Sequence, residues 1–407
     1  MFISSNMDTV KNRERSPVVV SLDQVYESAD NLTHAVQIAV CPIRSRIQSL
    51  LAECERVAVA IAGGSAVGKS DFFTPALIDG LSSTLVFSED DYCVGNSVSR
   101  QRFGTPNLHV PEDYDPALLA RHVAALKRGE EIEKPVYSYK IRERVDTTRV
   151  SARQVLVVEG EFLLHPPLSD EFDIKVFINS DDHSRFVRRM IRPRRNPDQT
   201  DVERMMEYFR LSFPHYNSHI APTMANADFV IENGYHPEEG HARIENYEAE
   251  VLLEGSNAER SFMAIPSDTE KQIFQRRYFT HSRKRPSEVL YVHSNASGNR
   301  FRYSCGAKDR SENGVLSPWV TFNLGETPID LTDIGYTPTV PVEGQECCAA
   351  VGNSTVRLIR LSEKKAAIQI TQPTDASGDV HQQQFIKRLI RSGLTKSTQT
   401  LDEWLQS

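Results

Sequence analysis

The amino-acid sequence predicts an α/β protein in which a doubly wound, parallel-sheet domain over residues 56–235 precedes a smaller β-rich domain over 262–371. Continuous apolar runs are the first observation behind this fold class. Val57-Ala58-Val59-Ala60-Ile61-Ala62 reads as a strand buried on both faces, and such strands belong to parallel sheets. Comparable runs recur at Thr84–Ser88, Gln154–Val158, Ile174–Ile178 and Asp228–Ile231. The second observation is that helical stretches separate these runs, the alternation of a doubly wound sheet. The third is a change of character after Gly234, where short β-like runs are divided by turn clusters such as SNASGN.

Taken in chain order, residues 1–22 read as a polar arm without the apolar stretch of a signal peptide. Residues 23–55 predict a helical segment with Leu32, Val36, Ile38, Val40, Ile47, Leu50 and Leu51 as apolar positions, broken or kinked at Pro42. Asp115-Pro116 opens a helix with an N-cap and a first-turn proline, ending near Arg128 before Gly129. Residues 181–192, 198–211 and 214–226 read as three more helices, partitioned by Pro193, Pro197 and Pro214. The acidic stretch 236–261 reads as a linker. β-like runs follow at Phe274–Thr280, Val289–His293, Phe301–Cys305, Trp319–Leu324, Val356–Leu361 and Ala366–Thr371. Residues 372–407 read as a linker and a short helical tail with Phe385, Ile386, Leu389 and Ile390 on one side.

Composition narrows the class of function. Hydrophobic residues make up 39% and charged residues 25% of the 407, which builds packed cores and excludes a wholly disordered chain. Lys and Arg total 47 against 55 Asp and Glu, a net charge of −8, so no nucleic-acid partner is expected. No apolar run reaches the roughly 20 residues of a membrane helix, so no membrane partner is expected either. Six cysteines (Cys41, Cys54, Cys93, Cys305, Cys347, Cys348) form no CxxC pair and read as reduced thiols of a cytoplasmic protein.

Gly63-Gly64-Ser65-Ala66-Val67-Gly68-Lys69-Ser70 follows the first apolar strand and opens a helix, the context that distinguishes a phosphate-binding loop from a chance glycine run. Backbone N–H groups there turn inward on phosphates, Lys69 would reach the β/γ-phosphates of a nucleotide, and the Ser70 hydroxyl would ligate Mg²⁺. Asp90, in Ser88-Glu89-Asp90-Asp91-Tyr92, lies just past the second strand, where α/β sheets place ligands. A phosphoryl acceptor needs a carboxylate within hydrogen-bond reach, and Asp90 is the candidate; an N-cap or solvated acidic loop is the competing reading. Glu159 closes the QVLVVEG strand and is a candidate metal carboxylate, against an ordinary strand-end acid. Arg185, Arg188, Arg189 and Arg192 share one helix face, followed by Arg194 and Arg195. Four guanidiniums together call for an anion such as a polyphosphate, or else form a solvated face paired with Asp181, Asp182 and Glu203.

In the order GGSAVGKS, SEDDY, PNLHVPEDYD, KPVYSYKIRER, VVEGEFLL and then the arginine-rich helix, the chain resembles the uridine kinase and phosphoribulokinase family over about residues 57–232. The resemblance implies a P-loop kinase fold and ATP-dependent phosphorylation of a hydroxyl on a small acceptor, in uridine kinases the sugar hydroxyl of uridine or cytidine. It implies Asp90 as catalytic base beside Lys69, Glu159 near the metal, and the Arg185–Arg195 stretch as a lid over ATP. On the acceptor side it implies Tyr137 and Arg144, with His109 and Tyr114 in the preceding segment and Arg142 beside them. The acceptor side also departs from the family. Asn107-Leu108-His109-Val110-Pro111 lacks the aspartate that grips ribose, Arg142 stands where a base-contacting histidine is usual, Cys93 replaces a tyrosine, and Asp71 a hydroxyl residue. Arg142, donor-only and always charged, suits an anionic acceptor better than a uracil edge.

Some organisms fuse a uridine kinase-like domain to a triphosphate tunnel (CYTH) domain, and Phe213–Pro222 resembles the end of such a kinase-like domain. Downstream, Trp319–Leu324 followed by Asp333–Tyr336 resembles that module's spacing, but its metal-binding ExExK is absent, and an unrelated β-rich accessory domain fits the residues better. The expected function is therefore an ATP- and Mg²⁺-dependent kinase for a small hydroxyl-bearing acceptor, with homo-oligomer formation left open. The alternative is a kinase-like nucleotide-binding regulatory protein, or a tunnel fusion with weak or no uridine kinase activity.

Overall fold

The computed structural model describes residues 16–104, 110–191, 199–234, 247–255, 258, 272–280, 289–296, 298–304, 309–311, 314–325, 331–332, 335–351, 354–362, 365–373, 391, 394–397 and 401–406. His109, Arg192, Arg194, Arg195, Cys305, Asp333 and the expected helix over Phe385–Ile390 lie outside these residues. The chain divides into two compact units, Met1–Ser180 with Ser212–Gly234, and Asp181–Leu211 with Tyr235–Ser407.

In the first unit, β1 (Val18–Ser21), β2 (Val57–Ala62), β3 (Thr84–Ser88), β6 (Val155–Gly160), β7 (Ile174–Asn179) and β8 (Phe229–Glu232) form one sheet, while β4 (Ile132–Ser138) and β5 (Glu143–Val150) pair as a separate hairpin. The six sheet strands run parallel in the order β1-β8-β7-β2-β6-β3. The period of two along β2 explains why both faces are covered. Ala58, Ala60 and Ala62 join the core containing Leu119, Val123 and Leu126 of the helix Pro116–Lys127. Val57, Val59 and Ile61 join the opposite core, with Ala35, Val36, Ala39, Ile43 and Ile47 of the helix Leu32–Leu51.

Three expectations are corrected here. Pro42 does not divide its segment: a single helix runs from Leu32 to Leu51, because the proline is on the exposed side while Ala39, Val40 and Ile43 are buried. Val18–Ser21, within the expected polar arm, extends the sheet by pairing with β8. Val86 is 37% exposed, since β3 is an edge strand and not one covered on both faces.

The second unit holds β9 (Tyr247–Glu254), β10 (Gln272–Thr280), β11 (Val289–Asn295), β12 (Gly298–Ser304), β13 (Asp309–Ser311), β14 (Gly314–Gly325), β15 (Thr337–Pro338), β16 (Val342–Val351), β17 (Ser354–Arg360), β18 (Ala366–Pro373) and β19 (Thr395–Lys396). The pairing runs β14-β12-β11-β10-β16-β17-β18-β9, all antiparallel. β9 also pairs with β14, so these eight strands close into a barrel and leave no free edge among themselves. The acidic stretch expected as a linker thus contributes the closing strand. Its charges alternate along Tyr247–Glu254, which is the pattern of a strand rather than of a solvated connector.

Polar side chains are buried within this unit. Arg276 pairs with Asp402 of the C-terminal helix Leu401–Gln406 at 2.6 Å and lies 4.4 Å over the Tyr291 ring. His293 Nε2 meets Glu346 Oε1 at 2.9 Å, and Arg357 Nε is 3.4 Å from Glu346 Oε2. Burial lowers the pKa of His293, so the imidazole is neutral and donates to the carboxylate. Burial would push Glu346 up, but that bond and the nearby charges hold it down at about 2.

Candidate active site

The phosphate loop lies between β2 and a helix formed by a π-type turn, Lys69–Phe73, and a regular turn, Thr74–Ile78. Gly63 has φ +146°, and a Cβ there would lie 2.4 Å from the carbonyl oxygen of Ile178, so only glycine fits. Gly68 is left-handed at φ +93°, the turn that starts the helix. Asn233 Nδ2 donates to the carbonyl of Val67 at 2.7 Å and ties the loop to the end of β8. Lys69 Nζ folds back on the loop, donating to the carbonyls of Gly63 at 2.6 Å and Gly64 at 2.9 Å. Desolvation lowers its pKa, opposed by the charges of Glu161, Glu159, Asp90 and Glu89, so several carboxylates surround this one ammonium group. Ser70 Oγ donates to Glu159 Oε2, which joins the two residues expected to share a metal. The donors are oxygens only, the set Mg²⁺ prefers when it keeps waters and phosphate oxygens as its other ligands. Among the described residues no group of three or more His, Cys, Asp or Glu could hold a metal by itself.

β3 and β2 flank β6, so Asp90, Glu159 and the phosphate loop stand at one edge of the sheet. Ser88 caps the turn Glu89–Tyr92 through its hydroxyl on the N–H of Asp90. Glu89 is buried, and its Oε2 accepts the backbone N–H groups of Glu161 at 2.7 Å and Phe162 at 2.9 Å. Burial pushes its carboxyl up to about 8, against the pull of those two hydrogen bonds. Lys134 pairs with Asp91, and Tyr92 Oη meets His122 Nδ1 at 2.9 Å, so the side chains on both sides of Asp90 are committed elsewhere.

The β4–β5 hairpin closes over this turn. Arg144 donates from Nε to the carbonyl of Cys93 and from Nη2 to that of Tyr92, each at 2.6 Å. The structure therefore places Arg144 as a clamp on the Asp90 turn, while the sequence expected it to contact the acceptor. Tyr137 is 8% exposed, and its hydroxyl has no hydrogen-bond partner among the described residues. Tyr114 is buried with Oη 3.5 Å from Asp90 Oδ1, and burial followed by the Asp90 charge keeps it a neutral phenol. Arg142 sits half-buried in the hairpin turn at φ +55°. Cys93, where a tyrosine is usual, is buried and its thiol is pushed up by that burial.

Two residues escaped the sequence reading. Tyr139 Oη donates to Asp90 Oδ2 at 2.6 Å. Its place two residues beyond Tyr137, in the turn that follows β4, was the available signal. Glu89 had no such signal, because a glutamate beside two aspartates reads as one acid among several.

The arginine-rich helix, Asp182–Ile191, belongs to the second unit. Arg185 and Arg188 are 4% and 1% exposed, which overturns the reading of a solvated face. Arg185 pairs with Asp182, and Arg189 with Glu207 at 2.8 Å, while Glu203 instead closes a capping box with Thr200. Phe186, on the same helix, packs edge-on against Phe301 and Tyr336.

The described cysteines are free thiols, and no helix among the described residues is long and apolar enough to cross a membrane. The sequence model of the phosphoribulokinase / uridine kinase family matches residues 58–237. A uridine kinase of Listeria innocua serovar 6a is 34% identical over 183 residues, covering 44% of this chain and 87% of that protein. One from Clostridium perfringens is 30% identical over 190 residues, covering 46% and 89%. Among solved structures, a D-glycerate 3-kinase from Cryptococcus neoformans is similar at 15% identity and a TM-score of 0.37, covering 47% of this chain and 95% of that one.

Proposed function

This chain belongs to the phosphoribulokinase / uridine kinase family, and from that premise we propose that it transfers the γ-phosphoryl group of ATP to a hydroxyl of a nucleoside or sugar-like acceptor. The observation that supports this most is the convergence, at one sheet edge, of the Lys69 loop, the Ser70–Glu159 pair and Asp90. Lys69 leaves the loop carbonyls and neutralises charge on the transferred group. Asp90 accepts the proton of the acceptor hydroxyl as that oxygen attacks phosphorus. Ser70 and Glu159 would hold Mg²⁺, which when bound neutralises the β- and γ-phosphate oxygens. The Tyr137 hydroxyl, buried without a hydrogen-bond partner among the described residues, supports an acceptor site beside the hairpin. Arg142 in the turn and His109 in place of the ribose-gripping aspartate favour an anionic acceptor over uridine. The test is ADP release with ATP and uridine, cytidine, D-glycerate or a phosphorylated pentose. Turnover of none of these by the wild type overturns the kinase reading. Micromolar KM for uridine overturns the preference for an anion.

A second reading concerns the β-rich unit, which the ring closure through β9 favours as a tunnel-like module. Arg276 and Arg357 lie within it, yet Asp402 and Glu346 neutralise them. Titrating the protein with inorganic triphosphate tests that reading, and absence of binding rejects it.

A further inference from the structure

The exposed phenol of Tyr139 is hydrogen-bonded to the carboxylate that the reaction needs. Tyr139 is 45% exposed at the hairpin turn after β4, so water could satisfy its hydroxyl fully. It instead donates to Asp90 Oδ2 at 2.6 Å, a length typical of a hydroxyl bonded to a charged carboxylate. The other carboxylate oxygen, Oδ1, faces the buried Tyr114 at 3.5 Å. The ring packs edge-on against Tyr137, with centroids 5.5 Å apart and rings at 87°. Arg144 fastens the hairpin to the Asp90 turn, which sets the distance the phenol must span.

We propose that Tyr139 is a placeholder on Asp90, occupying the acceptor hydroxyl's position and yielding it when the acceptor binds. This rests on the reading of Asp90 as the base. The acceptor's O–H then takes the hydrogen bond to Oδ2 that Tyr139 gives up. Its oxygen bonds to the γ-phosphorus, its proton passes to Asp90, and the bond to the bridging oxygen breaks with the electron pair leaving on ADP. Tyr139 stays a neutral phenol throughout. It turns aside by rotation of its own side chain, which its exposure leaves room for. The hydrogen bond it surrenders is charged on one side, so displacement subtracts from acceptor affinity. Tyr139 is therefore a residue that sets acceptor affinity, and a competing hydroxyl must be well placed to win Asp90 from it.

The variant that tests this is Tyr139→Phe, which keeps the ring and removes only the hydroxyl. Initial rates are measured with ATP and uridine, or with D-glycerate or the phosphorylated pentose where that acceptor is turned over faster. Acceptor KM is expected to fall roughly tenfold or more, the order set by one hydrogen bond to a charged group, with the KM for ATP unchanged and kcat within about twofold. An unchanged or higher acceptor KM overturns the placeholder, as does a lower kcat at constant KM, which would make the phenol an aid to the transition state. Asp90→Asn is run beside it. A wild-type rate in Asp90→Asn overturns the reading of Asp90 as the base, whereas an inactive Asp90→Asn with unchanged acceptor KM in Tyr139→Phe overturns the placeholder alone.

Discussion

A Cβ on Gly160 would lie 2.2 Å from Oε2 of Glu89, so the glycine that ends β6 exists to make room for a buried carboxyl group. That carboxyl ties the Asp90 turn to the backbone just past Glu159. Two candidate catalytic carboxylates, Asp90 and Glu159, are thus spaced by a third.

Gly160→Ala is expected to destabilise the first unit by roughly 1–3 kcal/mol, the usual range for forcing a methyl into a filled core. Thermal unfolding measures it. A melting temperature equal to that of the wild type would show that Glu89 moves aside freely.

Glu89→Gln keeps an oxygen for the Glu161 and Phe162 N–H groups but cannot ionise. The wild-type carboxyl, pushed up to about 8 from a usual 4.5, stays protonated in the folded chain while the unfolded chain ionises. The folded state then binds more protons, so wild-type stability falls as pH rises through that window, relative to Glu89→Gln. Urea unfolding of both proteins at several pH values checks the sign, and a pH-independent difference rejects it.

Lys69→Ala is expected to lower ATP-dependent turnover by about a hundredfold or more, because its ammonium group supplies positive charge to the transferred group. Asp90→Asn should show a different signature, with MgATP binding kept and phosphoryl transfer lost by roughly 10²–10⁴. Calorimetric titration with a non-hydrolysable ATP analogue, set beside the rate assay, separates the two. Equal loss of binding and rate in Asp90→Asn would make Asp90 a structural residue.

Arg188→Ala is expected to cost about 3–5 kcal/mol, several degrees in melting temperature, as removal of a buried charged partner does. The sequence alone argues for an unmoved melting temperature, since exposed arginines contribute little. Burial reverses that sign. Nearby, burial pushes the Asp181 carboxyl up, while hydrogen bonds from Ser184 and the charges of His183 and Arg188 bring it below its usual value. Differential scanning calorimetry decides between a large drop and none.

Acid should unfold the β-rich unit early. Glu346 is held at about 2 in the folded chain against a usual 4.5, so its contribution is present above 4.5 and is lost as pH falls toward 2. The loss is about 3 kcal/mol at most, from the size of that difference. Glu346→Gln should flatten this limb of the stability profile, and a wild-type-like acid limb in that variant would assign it to other groups.

What the sequence determined by itself is what neighbouring residues control. The phosphate loop was legible because Gly63 and Gly68 meet backbone demands within one turn, and Lys69 and Ser70 follow directly. The parallel strands were legible because burial on both faces leaves an uninterrupted apolar run, as in β2 and β6. Placing Asp90 and Glu159 at strand ends needed only those runs. Tertiary structure decided what depends on distant partners. The acidic segment became a closing strand because β14 and β18 both present it with unpaired edges, and backbone hydrogen bonding outweighs the charge of its side chains. The arginine helix became a buried element because aromatic rings and carboxylates close around it, which a count of charges along one face cannot reveal. Tyr139 reaches Asp90 across 49 residues of chain, and Glu89 reaches Phe162 across 73, contacts fixed by how a hairpin and two sheet strands pack rather than by any local periodicity.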